Sequence, residues 1–431
     1  MNAAGSIFLF VNALALLLLP RRWAALPLLV GACYMTLAQE LTFGPFNFPV
    51  LRLLIAAGIL RALLRGERVP GPYNSLDGLL LCWAAWALIS SVFHEDPTAA
   101  VVNRMGIVYY ACGLYFLLRM FCSEPQDAVR LAIFTAVLFV PLALAMLSER
   151  ATGLNHFAFL GGVAEMSELR GGEVRAQGPF AHPILAGSVG ATALPLMAVI
   201  WHRRRWLALT GVTACLTIVM TSASSGPLLS AGLAAGALAM WPWHRRMRQL
   251  RWVAVGVYLM LELVMKAPAY FLLARVDLTG SSTSWHRAEL IDSAIRHLPD
   301  WWLFGTDYTR HWISYGVGWS DQHTDITNYY INMGVWGGLP LMFLFIGVLA
   351  MGFARVGRQL ASPQGNHKMP PFAVWALGCT LFAHAGTFMS IAYFDQSVVF
   401  LYLTLAAIVA ASRAVAAPDR DPILSRIEAT G

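Results

Sequence analysis

Long apolar stretches follow one another along almost the whole of this 431-residue chain, and they constrain its fold more than any other feature. Each stretch has about 15–22 residues, close to the ~20 that a helix needs to cross the hydrocarbon core of a membrane. Such stretches must be helices, because lipid offers the backbone no hydrogen-bond partners, and they lack the alternation of membrane-barrel strands. The sequence therefore predicts an all-α, polytopic integral membrane bundle.

The pattern predicts about 12–13 membrane spans within a single integral membrane domain, residues 1–431. The predicted spans are residues 5–19, 23–39, 46–64, 75–92, 102–121, 129–147, 181–200, 205–221, 226–243, 252–270, 334–354, 372–391 and 396–412. The first span has no basic residue before it and no cleavage motif after it. We therefore predict no cleaved signal peptide.

Basic residues collect on one side of this predicted threading. With Arg21 and Arg22 on the cytoplasmic side, 20 of the 30 basic residues but only 7 of the 23 acidic residues fall there. Cytoplasmic loops of membrane proteins are enriched in lysine and arginine, so the net charge of +7 is explained without a nucleic-acid partner. The six cysteines lie in predicted spans or at a cytoplasmic edge, and no disulfide is predicted.

Two predicted extracytoplasmic loops, residues 148–181 and 271–333, are much longer than the other connections. Long loops on a rigid scaffold often carry binding and catalysis. The first loop ends in a segment that contains Arg175 and Gly178, where Gly-Pro predicts a turn that holds Arg175 near the membrane surface. Arg175 is then either a substrate contact or an arginine that caps the loop or contacts lipid headgroups.

The second long loop contains a predicted helix from Trp285 to Leu298 that ends at Pro299, with a start signal in the preceding Ser281–Ser284. Arg287 falls on the same face as the apolar residues Leu290, Ile291, Ala294 and Leu298. Two interpretations of Arg287 stay open, a substrate contact or a side chain that extends along the membrane surface to reach water.

A dense polar group, His323, Asp325 and Asn328, stands before the next predicted span. Histidine exchanges a proton near neutral pH, which suits His323 to general-base catalysis. The alternative is that the group shapes the turn at the start of that span. No Cys/His cluster indicates a metal, and the predicted extracytoplasmic segments contain no Asp-x-Asp pair, so we expect neither a metal nor a cofactor.

In their order and placement, three stretches resemble the superfamily of O-antigen ligases and O-antigen (exopolysaccharide) polymerases, which are bacterial membrane glycosyltransferases. The likeness is best over residues 170–355. Thr324 departs from the family pattern, which often has asparagine or serine after the histidine. The three stretches are Arg175 with Gly178 and His182-Pro183, Arg287 with Pro299 and Gly305, and His323 about eleven residues before Gly334.

The resemblance implies a metal-independent inverting glycosyltransferase of the bacterial inner membrane, with a periplasmic active site. Its donor would be a glycan on a polyprenyl diphosphate, and its acceptor a saccharide or lipid A–core. Membrane lipids and a chain-length regulator are further candidate partners. Arg175 and Arg287 would stabilise the diphosphate, and His323 would orient or deprotonate the acceptor hydroxyl. The predicted substrate-binding residues are Gly178, His182, Asp325 and Asn328.

Several functions remain open at this point. Thr324 slightly favours a polymerase of exopolysaccharide or O-antigen repeat units over a ligase that passes the finished glycan to lipid A–core or to a protein. A flippase or transporter of lipid-linked glycans is the alternative from another class. Transporters place polar residues in broken helices near the midplane, whereas here they concentrate in loops. A non-catalytic scaffold would tolerate changes to the arginines and the histidine.

Overall fold

A computed structural model describes residues 1–272, 283–314, 320–362 and 369–412. Within these ranges the chain is predominantly helical. The helices are α1 (Ala3–Leu18), α2 (Leu26–Tyr34), α3 (Val50–Arg65), α4 (Ser75–Ser90), α5 (Pro97–Phe121), α6 (Pro125–Thr152), α7 (Pro183–Val199), α8 (Arg205–Thr221), α9 (Ser225–Ala239), α10 (Met247–Val264), α11 (Thr283–Arg296), α12 (Leu298–Trp301), α13 (Tyr329–Ala361), α14 (Pro371–Thr387) and α15 (Val398–Ala411). Two antiparallel hairpins pair β1 (Glu40–Phe43) with β2 (Phe46–Pro49), and β3 (Glu168–Arg170) with β4 (Glu173–Arg175).

Each predicted span contains a helix or most of one, so the prediction of helical structure is confirmed at all thirteen places. Among the described residues, four helical segments are long and apolar enough to cross a membrane: Ser75–Phe93, Pro97–Phe121, Pro125–Thr152 and Tyr329–Ala361. The predicted span 23–39 is the exception in length, because its helix α2 ends at Tyr34. Beyond it the chain turns so that the Gln39 side chain accepts from Asn2 N at 2.9 Å, and the first hairpin follows.

The predicted extracytoplasmic connections meet at one end of the bundle. Gln396, between α14 and α15, donates to the Met35 carbonyl at 2.9 Å and to the Pro179 carbonyl at 3.1 Å. These two acceptors belong to the loop after α2 and to the first long loop. Three connections that are distant in sequence are therefore joined by one buried amide, as the alternating threading requires.

Arginines and helix ends gather at the opposite end of the bundle. Arg21 Nε donates to the Met120 carbonyl at 2.8 Å, and Arg61 NH1 donates to the Leu19 carbonyl at 2.7 Å. Arg61 is fully buried and also pairs with Glu67 at 2.8 Å. A cation near the last carbonyls of a helix satisfies acceptors that have no partner within the helix and complements the helix dipole. Several of the predicted cytoplasmic arginines therefore hold the bundle together at this end.

The second long loop folds onto the bundle through α11 and α12. The predicted helix Trp285–Leu298 is confirmed with shifted bounds, while residues 281–282 of its predicted start signal lie outside the described residues. Pro299 falls in the first turn of α12, where proline fits because the first helical N–H groups have no partner within the helix. The apolar face of α11, with Leu290 and Ala294, packs in a small core with Trp301 and Trp312.

Glycines let the α12 segment cross directly over α13. The backbone of α13 is interrupted at Gly338 (φ 73°), where an added Cβ would lie 2.0 Å from the Leu303 carbonyl oxygen. In the segment after α12, a Cβ on Gly305 (φ 95°) would lie 2.2 Å from the Val335 carbonyl oxygen of α13. Thr306 N donates to that same carbonyl at 3.0 Å. We call these backbone approaches the glycine contact.

Candidate functional site

Arg175 ends strand β4 and points into the end of the bundle. Its side chain is only 2% exposed. One terminal nitrogen donates to Ser224 Oγ at 2.9 Å, and the other donates to both carboxylate oxygens of Glu168 at 2.9 and 3.0 Å. The guanidinium therefore contacts the start of α9. This burial does not fit a contact with lipid headgroups, whereas the bond to Glu168 of the same hairpin fits a loop cap, and a substrate contact of Arg175 stays a prediction.

A rigid turn at Gly178 fixes the position of Arg175. The buried Glu149 carboxylate accepts from Gln177 N at 3.0 Å and from Gly178 N at 2.9 Å, and Asn155 donates to the Gly178 carbonyl at 2.9 Å. Gly178 has φ 58°, a left-handed conformation that suits glycine. The predicted turn is thus confirmed. Because both backbone groups of Gly178 bind protein, its role in the structure is to shape the turn, and a substrate contact there stays a prediction.

The connection between α8 and α9, Ser222–Gly226, forms a strained turn that we call the serine turn. Ala223 has φ 44°, and no other non-glycine residue in the described ranges has positive φ. For an alanine this conformation costs about 1–2 kcal/mol, and such strain concentrates at functional sites. Ser224 stands at the N-cap position of α9, and its hydroxyl donates to the Ser222 carbonyl at 2.8 Å instead of accepting from the helix. The first N–H groups of a helix attract anions.

Arg287 reaches the serine turn from the second long loop. It lies in the first turns of α11, and its NH2 is 3.5 Å from the position that a Cβ on Gly226 would take. Arg175 contacts Ser224, two residues earlier in the same turn. The structure therefore brings Arg175 and Arg287 together at the start of α9. Two guanidinium groups and a helix N-terminus form a site suited to a phosphate-type anion.

His182 lies in the electrostatic field of Arg175 and of Asp325. His182 immediately precedes α7 and its Nδ1 accepts from Ile184 N at 3.1 Å, which leaves the proton of a neutral ring on Nε2. Burial lowers the pKa of His182, the charge of Arg175 lowers it further, and the Asp325 carboxylate acts in the opposite direction. The exposed Asp325 is held through its carbonyl, which is 3.0 Å from His286 Nε2. His182 is therefore a neutral N–H donor near Arg175.

His323 belongs to a second polar group on the same loop. Its Nδ1 and Ser320 Oγ share a 2.7 Å hydrogen bond. Burial lowers the pKa of His323, and the negative charge of Asp307 opposes that shift. Asp307 lies 2.5 Å from His94 Nδ1 and accepts from Glu95 N at 2.7 Å. The structure places the His323 ring in the field of Asp307, whereas the two arginines meet at the serine turn.

Asn328 is the N-cap of α13. Its side-chain oxygen accepts from Tyr330 N at 3.0 Å and from Ile331 N at 3.2 Å, and its amide nitrogen donates to the Met389 carbonyl at 3.2 Å. This geometry fits the alternative that the polar group shapes the turn at the start of the helix. The Asn328 side chain is buried, and both its amide oxygen and its amide nitrogen are hydrogen-bonded to protein. A substrate contact of Asn328 stays a prediction.

No protein-family model matches the chain, and no curated protein matches it. The functional argument therefore depends on the geometry and chemistry of the site. That geometry adds three groups that the sequence did not single out, namely the serine turn, Glu168 and Asp307. The segment Ser222-Ala-Ser-Ser-Gly-Pro227 does carry a turn signal, but a short connection between two apolar stretches is ordinary in a helical bundle.

Proposed function

We propose that this protein is a glycosyltransferase of the bacterial inner membrane that uses a polyprenyl-diphosphate-linked glycan as its donor. One observation carries the proposal. Arg175 and Arg287 belong to loops that are separated in the sequence by four bundle helices, and both reach the serine turn at the start of α9. Three sources of positive potential around one turn suit a diphosphate better than an uncharged sugar.

The proposal includes a polytopic bundle with thirteen crossings and the arginine site on the periplasmic side. Four apolar helices of sufficient length support a membrane location, and so do large apolar side chains on outward-facing surfaces, among them Phe10, Leu63 and Leu263. Exposed apolar surface on this scale is expected to face lipid. The arginine-rich opposite end would face the cytoplasm, where basic residues concentrate.

The first task of such an enzyme is to stabilise the leaving group. The bond between the anomeric carbon and the phosphate oxygen breaks more easily when the departing diphosphate is neutralised, and guanidinium groups donate two directed hydrogen bonds each. The Glu168 carboxylate now accepts from Arg175 and is half exposed, at 49%. A diphosphate carries more negative charge than this carboxylate, so we expect it to displace Glu168 and take its place against Arg175.

The second task is to activate the acceptor. The Nδ1 atom of His323 shares a hydrogen bond with Ser320 Oγ, and burial lowers the pKa of the ring, which favours the neutral form that can accept a proton. The acceptor hydroxyl attacks the anomeric carbon from the face opposite the diphosphate, its proton passes to His323, and the configuration inverts. The Asp307 carboxylate stabilises the imidazolium that forms. The sugars would lie between His323 and the serine turn, close to Asp325 and His182.

Among the glycosyltransferases, a polymerase of exopolysaccharide or O-antigen repeat units is the preferred form, and a ligase to lipid A–core or protein is the alternative. A complementation assay separates them. A strain lacking this gene receives wild type, Arg175→Ala, Arg287→Ala or His323→Ala at matched membrane levels, with Arg170→Ala as the control. Arg170 lies on the same hairpin as Arg175 but is exposed. Surface glycan and lipid-linked intermediates are then resolved on gels.

Each pattern of intermediates has a defined meaning. Single lipid-linked repeats that accumulate in the periplasmic leaflet indicate a polymerase, and long lipid-linked chains without transfer indicate a ligase. Lipid-linked units that stay on the cytoplasmic side indicate a flippase and contradict the proposal. Normal surface glycan from all three site variants also contradicts it, because a scaffold would tolerate these changes.

A further inference from the structure

Three side chains with metal-binding atoms meet on the second long loop, away from the arginines. They are His297 after α11, Asp300 in α12, and His311 in the short helical turn Arg310–Trp312. One ligand atom from each lies within 4.8 Å of the other two. The chain brings them together because α12 folds back over the end of α11, and the segment after the glycine contact returns to the same place. Nothing in their sequence spacing indicates this.

The distances between these atoms suit a shared cation. Asp300 Oδ2 lies 3.3 Å from His297 Nδ1 and 3.5 Å from His311 Nε2. Charge-assisted N–H···O hydrogen bonds are shorter, at about 2.7–2.9 Å. By contrast, with metal–ligand bonds of about 2.0–2.1 Å in a tetrahedron, neighbouring ligand atoms are separated by roughly 3.4 Å. The two separations from Asp300 therefore fit the edge of a tetrahedral site better than a direct ion pair, and the ligand atoms of the two histidines lie within 4.8 Å of each other.

Aromatic packing holds the two imidazole rings in place. The His297 ring lies parallel to the buried Trp312 ring, with centroids 6.1 Å apart and an interplanar angle of 6°. The His311 ring stacks on Tyr308, at 4.9 Å and 16°. The two imidazoles are perpendicular, with centroids 4.5 Å apart. Ligands whose orientation is fixed by neighbouring side chains lose less freedom when a metal binds.

We propose that His297, Asp300 and His311 form a binding site for a zinc-type transition-metal ion, with water completing the coordination. Two imidazole nitrogens and one carboxylate oxygen favour Zn²⁺, Ni²⁺ or Cu²⁺ over Mg²⁺ or Ca²⁺, which bind oxygen ligands. The three side chains are 31%, 48% and 35% exposed, so an ion can enter from solvent. The ion takes no part in glycosyl transfer. It joins the end of α11 to the Arg310–Trp312 turn and so fastens the loop that lies between them.

The test uses the purified full-length protein in detergent, treated with a chelator and dialysed, with Zn²⁺ alone as the probe. Elemental analysis and competition with a chromophoric chelator should give one tightly bound Zn²⁺ per chain. At free Zn²⁺ about 100 times Kd, the melting temperature should rise by roughly 3 °C, while Mg²⁺ leaves it unchanged. His297→Ala and His311→Ala should lose both effects. His156→Ala, in the other long loop, is the matched control and should keep them.

Asp300→Asn keeps the test decisive if an alanine variant fails to fold, since it preserves the shape of the side chain. It should weaken Zn²⁺ binding at least by the ~10-fold that loss of an outer-shell partner costs. The proposal is overturned if the ligand variants bind Zn²⁺ as wild type does, or if Mg²⁺ produces the same rise in melting temperature. These measurements require no glycan substrate, so their outcome is independent of the proposed transferase activity.

Discussion

The arginine site makes a quantitative prediction for the substitution Arg175→Lys. Lysine keeps the positive charge but replaces the planar fork, whose donors sit on separate nitrogens, with three donors on one ammonium nitrogen that cannot occupy both positions. In the structure the Arg175 fork points in two directions, to Ser224 with one nitrogen and to Glu168 with the other. If the diphosphate takes the place of Glu168, a lysine holds either the serine turn or the donor, but not both.

The size of the effect follows from burial. Arg175 is 2% exposed, so water does not replace a lost hydrogen bond. A hydrogen bond to a charged group contributes about 1.5–3 kcal/mol, which corresponds to roughly a 10- to 150-fold loss in kcat/KM when it is absent from the transition state. We expect this loss for Arg175→Lys. The exposed Arg170, on the same hairpin, should tolerate the change to lysine with less than a twofold effect.

The assay is turnover of a lipid-linked donor by the purified protein in liposomes, at equal amounts of each variant. Melting temperatures measured in parallel separate a loss of the site from a loss of the fold. Arg287→Lys, tested in the same way, should behave like Arg175→Lys. If both variants keep kcat/KM within threefold of wild type, a directed clamp on the diphosphate is refuted, and a general positive field near the membrane is sufficient.

Three further predictions concern residues around this site. The lowered pKa of His323 places the acid limb of the pH–rate profile below 6.5, the ordinary pKa of histidine. Asp307→Asn should move that limb to still lower pH, because the negative charge of Asp307 favours the protonated ring of His323. Glu168→Gln should lower the KM for the donor by about 1.4- to 5-fold, since a half-exposed ion pair contributes ~0.2–1 kcal/mol. Gly338→Ala should lower the melting temperature by at least ~2 °C, because the left-handed backbone costs alanine ~1–2 kcal/mol and the Cβ would lie 2.0 Å from the Leu303 carbonyl oxygen.

Two of these predictions have a control variant. For the glycine contact it is Gly232→Ala in α9, where an added Cβ meets open space and should not destabilise the protein. For the donor effect it is Glu173→Gln, which removes an exposed carboxylate from the same hairpin but not from Arg175. If the acid limb of Asp307→Asn stays in place or moves to higher pH, Asp307 does not raise the pKa of His323 as proposed.

Much of the fold was predictable because apolar length and turn residues act locally. Helix formation in each predicted span follows from the need to satisfy the backbone within an apolar stretch. The shortening of α2 was not predictable in this way. It depends on Gln39, whose side chain is bound by groups from the amino terminus and from the first long loop. Such a contact arises only when distant parts of the chain have already packed.

In the candidate site, too, local signals were predictable from the sequence and long-range contacts were not. Arg175 and Arg287 stood out from their positions in long polar loops, and the helical spacing of α11 placed Arg287 on its inner face. The serine turn gave no comparable signal, because its importance lies in what packs against it. The pairing of His94 with Asp307 spans 213 positions in the sequence, and nothing local indicates it. Long-range contacts of this kind require the packed bundle.

The glycine positions that contributed to the family resemblance have a packing role in this fold. Gly334 admits the Trp301 ring, whose nearest atom would lie 2.4 Å from an added Cβ, and Gly305 allows the chain to cross α13. Trp301 in turn supports Leu290 on α11, the helix that carries Arg287. The placement of Arg287 at the serine turn therefore depends on glycines that touch neither the arginine nor the proposed donor. Larger residues at those glycines should impair the donor clamp by displacing α11, and the resulting loss of activity should resemble that of Arg287 variants.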